Sequence, residues 1–253
     1  KNSIDNETAA VIIEPVVFME PKDNFLHQIA DICKEKGIIL IFDEMWTGFR
    51  MALGGAQEYF GITPDLATYS KAVANGMPIS IITGKKEVMD VLNEDVFFFG
   101  TFGGEALSLA ATKATIDEIR DKNVIQYLDA KGKILKDGYN ELVKKHGIDY
   151  TQAIGYNFRS LITFDPKAGD PLLLKSLFQQ EMIKRGIVWS GFHNMSYSHT
   201  DEDIEYTLKV YDEVLPIIKE AVINQTVEEQ IKGIPVQPVF RKTTDFNTKP
   251  KQA

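Results

Sequence analysis

Hydrophobic and polar positions follow two rhythms over the first ninety-five residues. Short unbroken apolar runs, Ala9-Ala-Val-Ile-Ile-Glu-Pro15 and Ile38-Ile-Leu-Ile-Phe42, each end in a carboxylate. Runs of that length with no polar interruption are the pattern of strands buried on both faces. Between them, Asn24 to Lys36 places Phe25, Ile29, Ile32 and Cys33 on one side at helical spacing, with Gly37 as the stop. A loop with a short helix is expected over Leu53–Gly61, a turn at Thr63-Pro-Asp65 and a strand over Leu66–Tyr69. Small residues and glycine fill Ser70–Gly76, followed by a strand over Pro78–Thr83 and a helix over Lys86–Leu92. Strand and helix alternate in this way only when a mostly parallel sheet is covered by helices, so the predicted class is α/β. Four strands are few for such a sheet, and the chain opens on Lys-Asn-Ser-Ile-Asp without a methionine. The expectation is that the sequence begins inside a domain.

The pattern changes further on. Ala106–Arg120 and Asn123–His146 have helical periodicity. Phe158–Phe164 alternates as a strand, and Pro171–Arg185 is a helix closed by Gly186. Short strands are expected at Ile187–Trp189 and Met195–Ser198. Thr200-Asp-Glu-Asp reads as a helix start, a capping threonine followed by acids at the positive end of the helix dipole, and that helix runs to about Val222. The expected organisation is therefore the C-terminal part of a large α/β domain with an interdomain helix over 1–120, a small α+β domain over 121–222, and an extended tail over 223–253 with a frayed tip.

Composition narrows the function. The chain is 44% hydrophobic and 25% charged, with a formal charge of −8. No basic patch is visible, which argues against nucleic acid and anionic membrane as partners. The single cysteine, Cys33, falls on the apolar side of a helix and reads as a small buried hydrophobe. With no long apolar run and no disulfide framework, the expected location is cytoplasmic. The spacing of His27, His146 and His199 fits no metal site, and no metal is expected.

Three residues carry candidate chemistry. Asp43 ends the apolar run Ile38–Phe42, and ligands of open α/β sheets gather at the carboxyl ends of strands. It could hold a proton on a heteroaromatic nitrogen, cap a helix or pair with Arg50, or serve with Phe42 and Glu44 as a Walker B carboxylate of a nucleotide hydrolase. The last needs a Gly-x-x-x-x-Gly-Lys-Ser/Thr loop, which this sequence lacks. Lys71 stands after a short strand among small residues, where an amine loses its proton readily and can attack a carbonyl to form a Schiff base. Thr101, in Gly100-Thr-Phe-Gly-Gly104, could give a phosphate its hydroxyl beside the free N–H groups of a helix start, or could cap that helix. An anion for a ring nitrogen, an amine for an aldehyde and a hydroxyl for a phosphate are the three handles of pyridoxal 5'-phosphate.

The segments Glu14-Pro15, Phe42-Asp-Glu-Met-Trp-Thr-Gly-Phe-Arg50, Leu53-Gly-Gly-Ala-Gln-Glu-Tyr-Phe-Gly-Ile-Thr-Pro-Asp65, Ser70-Lys-Ala-Val-Ala-Asn-Gly-Met-Pro78, Gly100-Thr101 and Ser198-His-Thr-Asp-Glu-Asp-Ile204 resemble the class III aminotransferases, and among them the group of the glutamate-1-semialdehyde aminomutases. The resemblance implies the large-domain fold of type I pyridoxal-phosphate transferases. It implies that Asp43 keeps the pyridine nitrogen protonated, that Lys71 forms the Schiff base and then moves the proton, and that Met45 lies against the ring. It further implies that Thr101 reaches the cofactor phosphate across a homodimer interface, and that Glu14 organises the site. The implied substrates are a small-molecule amino donor and a carbonyl acceptor. Gly191 stands where the mutases carry a glutamate, which points to a transaminase with another carbonyl substrate; intramolecular amino transfer is the alternative. His193, between Phe192 and Asn194, reads either as a substrate contact or as a packing histidine.

Overall fold

The computed structural model describes residues 4–94 and 96–237, which divide into two compact units. Of the described residues, the first unit comprises those up to Lys133 with the segments Gly155–Arg159 and Asn194–Ser198; the other described residues form the second.

A four-stranded sheet organises the first unit: β1 (Ala10–Ile13), β2 (Ile39–Asp43), β3 (Leu66–Tyr69) and β4 (Ile81–Gly84), in that spatial order. β1, β2 and β3 are parallel, with Ile13 opposite Phe42 and Asp43 opposite Thr68; β4 returns antiparallel, with Ile81 opposite Tyr69. The expected mostly parallel sheet is present. Helix α1 (Phe25–Lys36) lies between β1 and β2 in the chain and buries Leu26 and Cys33 with Leu40, Phe42 and Ile62. Burial raises the Cys33 thiol pKa, as an apolar setting disfavours the thiolate. α2 (Ala56–Phe60) precedes β3. The expected helix over 86–92 is a single α-turn, α3 (Lys86–Met89), continued as a 3-10 turn over Asp90–Asn93. α4 (Ala106–Asp121) packs against the 3-10 turn Lys71–Ala74.

The two units divide inside α5 (Val124–Lys145), after Lys133. The reason is local packing. Tyr127 stacks edge-on with Tyr197, 4.9 Å between ring centroids, and Gly132 faces the Asn157 carbonyl so closely that an added Cβ would sit 1.9 Å from that oxygen. The start of α5 is thereby held within the first unit.

Two long helices and a small sheet make up the body of the second unit. The sheet contains β5 (Thr151–Tyr156), β6 (Arg159–Phe164) and β7 (Phe192–Asn194), in the order β5-β6-β7. β5 is absent from the sequence expectation because its inward positions are Thr151 and Ala153, too small and polar to register as an apolar run. The strands expected at 187–189 and 195–198 do not form; the strand pairing falls between them, on residues 192–194. Helices α6 (Pro171–Lys184) and α7 (Asp201–Ile223) contribute Leu174, Leu177, Phe178, Met182, Tyr211, Val214 and Leu215 to a core that includes Trp189. Thr200 caps α7 with a full capping box, its side chain accepting from Asp203 N while Asp203 accepts from Thr200 N.

The tail expected to be extended folds back at its start. α8 (Val227–Gln230) docks on α6, where Gln180 donates to the Gln230 carbonyl and Val236 N donates to Ser176 Oγ. The tip of the expected tail lies outside the described residues. Among the described residues, no helix is long and apolar enough to cross a membrane.

Candidate active site

The site assembles at the carboxyl ends of the parallel strands. Asp43 closes β2, Glu14 directly follows β1, and Lys71 stands two residues beyond β3. Because Ile13 is opposite Phe42 and Asp43 is opposite Thr68, the register carries all three to one edge of the sheet.

Asp43 Oδ1 accepts a hydrogen bond from Met45 N at 3.0 Å, which turns the loop away from the strand. Among the described residues Asp43 caps no helix and pairs with no cation, and no hydrogen bond engages Oδ2. Arg50, considered as its partner from sequence, instead donates to the Phe158 carbonyl (3.3 Å) and to Asn194 Oδ1 (3.2 Å). Met45 is half-buried immediately after Asp43.

Glu44 is the residue whose role sequence reasoning missed. It is 1% exposed, and its carboxylate accepts from Thr47 Oγ1, Ala56 N (2.7 Å) and Gln57 N (2.8 Å). A buried carboxylate at the first turn of α2 is stabilised by the unpaired N–H groups and by the dipole there. Gly55 makes this possible: its φ is 81°, and a Cβ would lie 2.5 Å from Glu44 Oε2. A carboxylate turned inward to hold a helix is not free to act beside a nucleotide, so the Walker B reading of Phe42-Asp43-Glu44 loses its Glu44, and the sequence holds no phosphate-binding loop to go with Asp43. Beside it, Gln57 donates to Tyr69 Oη; burial, with the nearby Glu44 charge, lifts the Tyr69 pKa to about 12.

Lys71 has φ 49°, in the left-handed region, directly after an extended Ser70. For a residue with a side chain this conformation costs about 1–3 kcal/mol, and it persists where the surroundings impose it. Ser70 Oγ donates to the Ile79 carbonyl at 2.6 Å, which ties down the turn from the other side. The Lys71 side chain is exposed, and among the described residues its ammonium has no ion pair or hydrogen bond. The expectation of a lysine enclosed by small apolar residues is thus met by its backbone neighbours, Val73 and Ala74 being buried, but not by its own side chain.

Thr101 is exposed in the turn closed by Gly103 N donating to the Gly100 carbonyl at 2.8 Å. The cap of α4 is not Thr101 but Glu105, which accepts from Leu107 N and Ser108 N. Those N–H groups are occupied, so the helix start offers a phosphate less than the sequence suggested, and the threonine hydroxyl is what remains. Glu14 Oε2 accepts from Trp46 Nε1 at 3.2 Å.

His193 is a packing histidine. It is 5% exposed, with Nδ1 2.7 Å from Ser160 Oγ and Nε2 2.8 Å from Tyr211 Oη, and burial lowers its pKa to about 4. It is neutral at pH 7.

A model of the family described as aminotransferase class-III matches residues 1–199. The chain belongs to the class III aminotransferases. Among its relatives are glutamate-1-semialdehyde 2,1-aminomutases. That of Pelodictyon phaeoclathratiforme is 36% identical over 231 residues, which cover 82% of this chain and 52% of the relative. That of Methanosarcina acetivorans is 35% identical over 226 residues, covering 83% and 53%. This class III chain spans about half the length of the curated relatives it matches. In structure it resembles the pyridoxal-phosphate internal aldimine form of the FumI protein of Sphingopyxis sp. MTA144, with a TM-score of 0.78 and 28% identity over 88% of this chain and 55% of that one. A β-phenylalanine aminotransferase from Variovorax paradoxus gives a TM-score of 0.77 at 23% identity, over 85% and 53%, which speaks for the shared fold alone.

Proposed function

We propose that the protein transfers an amino group between a small-molecule amine and a carbonyl compound, with pyridoxal 5'-phosphate as cofactor. The observation that carries this reading is the juxtaposition, at one end of the sheet, of a carboxylate, Asp43, and a lysine on a strained backbone, Lys71, the first with an oxygen unengaged and the second unpaired among the described residues. Those are the donor types the cofactor needs at its ring nitrogen and its aldehyde, so the residues present fit the group. When bound, the cofactor supplies an electron sink for the carbon that gains or loses the amino group. Asp43 holds a proton on the ring nitrogen. Lys71 would hold the cofactor through its amine and would supply the base that takes up and returns a proton. Met45 would contact the ring and Thr101 would hold the phosphate, while Glu14 keeps Trp46 in place by accepting its indole N–H.

Thr101 acts across a homodimer interface in this proposal. Its support is the aromatic run around it: Phe97, Phe98, Phe99 and Phe102 are all largely exposed, Phe97 at 93%. A monomer rarely leaves such a patch in water. The proposed location is the cytoplasm.

The test is Lys71→Ala in the full-length protein. Turnover should fall by about 1000-fold or more, and the visible absorbance of the attached cofactor should vanish, with the far-ultraviolet circular dichroism unchanged. Normal turnover in that variant would overturn the proposal. A second reading, transfer within one molecule, is favoured by the aminomutases among the relatives. A single-turnover reaction with a separate amino donor distinguishes the two, because only a transaminase leaves a free carbonyl product of the donor.

A further inference from the structure

Tyr69 is the last residue of β3, two positions before Lys71, and has no part in the chemistry above. Its side chain is buried and is held from three directions. The hydroxyl accepts from the side-chain amide of Gln57. The Phe49 ring meets it edge-on, 5.7 Å between centroids. Gly48 approaches so closely that an added Cβ would lie 2.5 Å from Tyr69 Cδ1. Gly48 and Phe49 belong to the loop after Asp43, and Gln57 to α2 beyond it. Glu44 ties these pieces to one another and to β3. Its carboxylate accepts from Gln57 N at 2.8 Å and its carbonyl from Gly48 N at 2.9 Å. Its own N–H donates to the carbonyl of Thr68, the residue before Tyr69, at 3.0 Å. The residue next to Asp43 is thereby linked, through Gln57, to the strand end that leads into Lys71.

Two non-glycine residues of this group have left-handed backbones, Phe49 with φ 60° and Lys71 with φ 49°. That conformation is costly for a residue with a side chain and persists where the surroundings impose it. Tyr69 is what the two share. Phe49 packs on its ring, and Lys71 follows it after a single extended residue, Ser70. With both ring and hydroxyl fixed, the backbone at Tyr69 cannot rotate without breaking these contacts. The bond from Ser70 Oγ to the Ile79 carbonyl and the packing of α4 on Lys71–Ala74 hold the turn beyond that point. The direction in which β3 hands the chain to Lys71 is set by Tyr69.

We infer that Tyr69 is a positioning residue for Lys71: bonded to Gln57, which Glu44 holds, it fixes the Lys71 turn relative to Asp43. The proposed reaction needs these two side chains at separate atoms of one rigid ring system. A small error in their spacing lowers the rate at which the lysine reaches the aldehyde and leaves the other contacts of the ring in place. This inference rests on the amino-transfer proposal and adds a residue that acts through Lys71.

The test uses the full-length protein, freed of cofactor, and two probes. Pyridoxal 5'-phosphate can link to Lys71; pyridoxamine 5'-phosphate has no aldehyde and cannot. Tyr69→Phe keeps the ring and its packing on Phe49 and removes only the hydroxyl. Gln57→Met removes the amide at the other end of the bond, and covers the case in which the first variant does not fold. In each, the rate of linkage, followed by visible absorbance, should fall about tenfold or more, while the affinity for pyridoxamine 5'-phosphate stays within about twofold of the parent. The double variant should be no slower than either single one, since the two groups act through one bond. Without any probe, the amides of Lys71–Ala74 should exchange hydrogen about tenfold faster in both variants, and those of β1 at the parent rate. Linkage at the parent rate in both variants overturns the inference. So does an equal loss of affinity for both probes, which would mean that Tyr69 only supports the fold of the site, and so do losses that multiply in the double variant. A parent protein that links no pyridoxal 5'-phosphate to Lys71 overturns the amino-transfer proposal, and this inference with it.

Discussion

Two adjacent carboxylates, Asp43 and Glu44, lie at the end of the same strand and do different work. Among the described residues Asp43 is left with an unengaged oxygen, while both oxygens of Glu44 accept hydrogen bonds, from Thr47 and from the first turn of α2. Replacing Glu44 with Ala would strand two buried N–H groups and should lower stability by about 3 kcal/mol, read as a shift of the urea midpoint. The same measurement on Asp43→Ala should show little change, whereas cofactor affinity and rate should both drop, by about 100-fold. Sequence alone could not separate these roles. Asp-Glu after an apolar run is compatible with either residue facing inward, and the decisive Gly55, eleven positions further on, looks like any loop glycine until its contact with Glu44 is seen. His193 gives a further test at this scale. Its folded pKa, about 4, lies below the ordinary 6.5, so between those values the unfolded chain binds a proton that the folded chain does not. Stability from this residue is complete above about pH 6.5 and declines as the pH falls toward 4, by about 3 kcal/mol in all. Comparing urea midpoints at pH 7 and 4.5 should show the decline, and His193→Gln should flatten it.

At the level of elements, the helices were the most legible. α1, α4, α5, α6 and α7 are long enough for the 3.6-residue period to declare itself, and the Thr200 cap announced α7. Removing that cap with Thr200→Ala should cost about 1 kcal/mol. The short strands around residues 187–198 were misplaced because a three-residue strand is defined by its partner and not by its own pattern. β5 was invisible for a related reason: its alternation is carried by Thr151 and Ala153. The boundary inside α5 depends on a contact between Gly132 and the Asn157 carbonyl that has no sequence signature. Gly132→Ala should force those backbones apart and lower the thermal midpoint, by about 1–3 kcal/mol in free-energy terms.

On the scale of the whole molecule, the family was legible because its motifs sit on the parallel strands' carboxyl ends, where chemistry restricts the choice of residue. Asp43, Lys71 and Thr101 are each proposed from residue type and setting. Tyr69 could not be, since its meaning comes from Gln57 and Phe49, which the fold brings against it. The aromatic run at Phe97–Phe102 carries the dimer proposal. Phe98→Glu should shift the full-length protein toward monomer in sedimentation equilibrium and weaken cofactor binding with it, whereas an intact dimer would argue against an interface there.

The central claim is that Lys71 is the attachment point of pyridoxal phosphate. It is tested most directly by incubating the full-length protein with the cofactor, reducing with borohydride, digesting and locating the modified peptide by mass. A pyridoxyl group on Lys71 is the predicted result. A folded protein that carries the adduct on another lysine, or on none, would contradict the account.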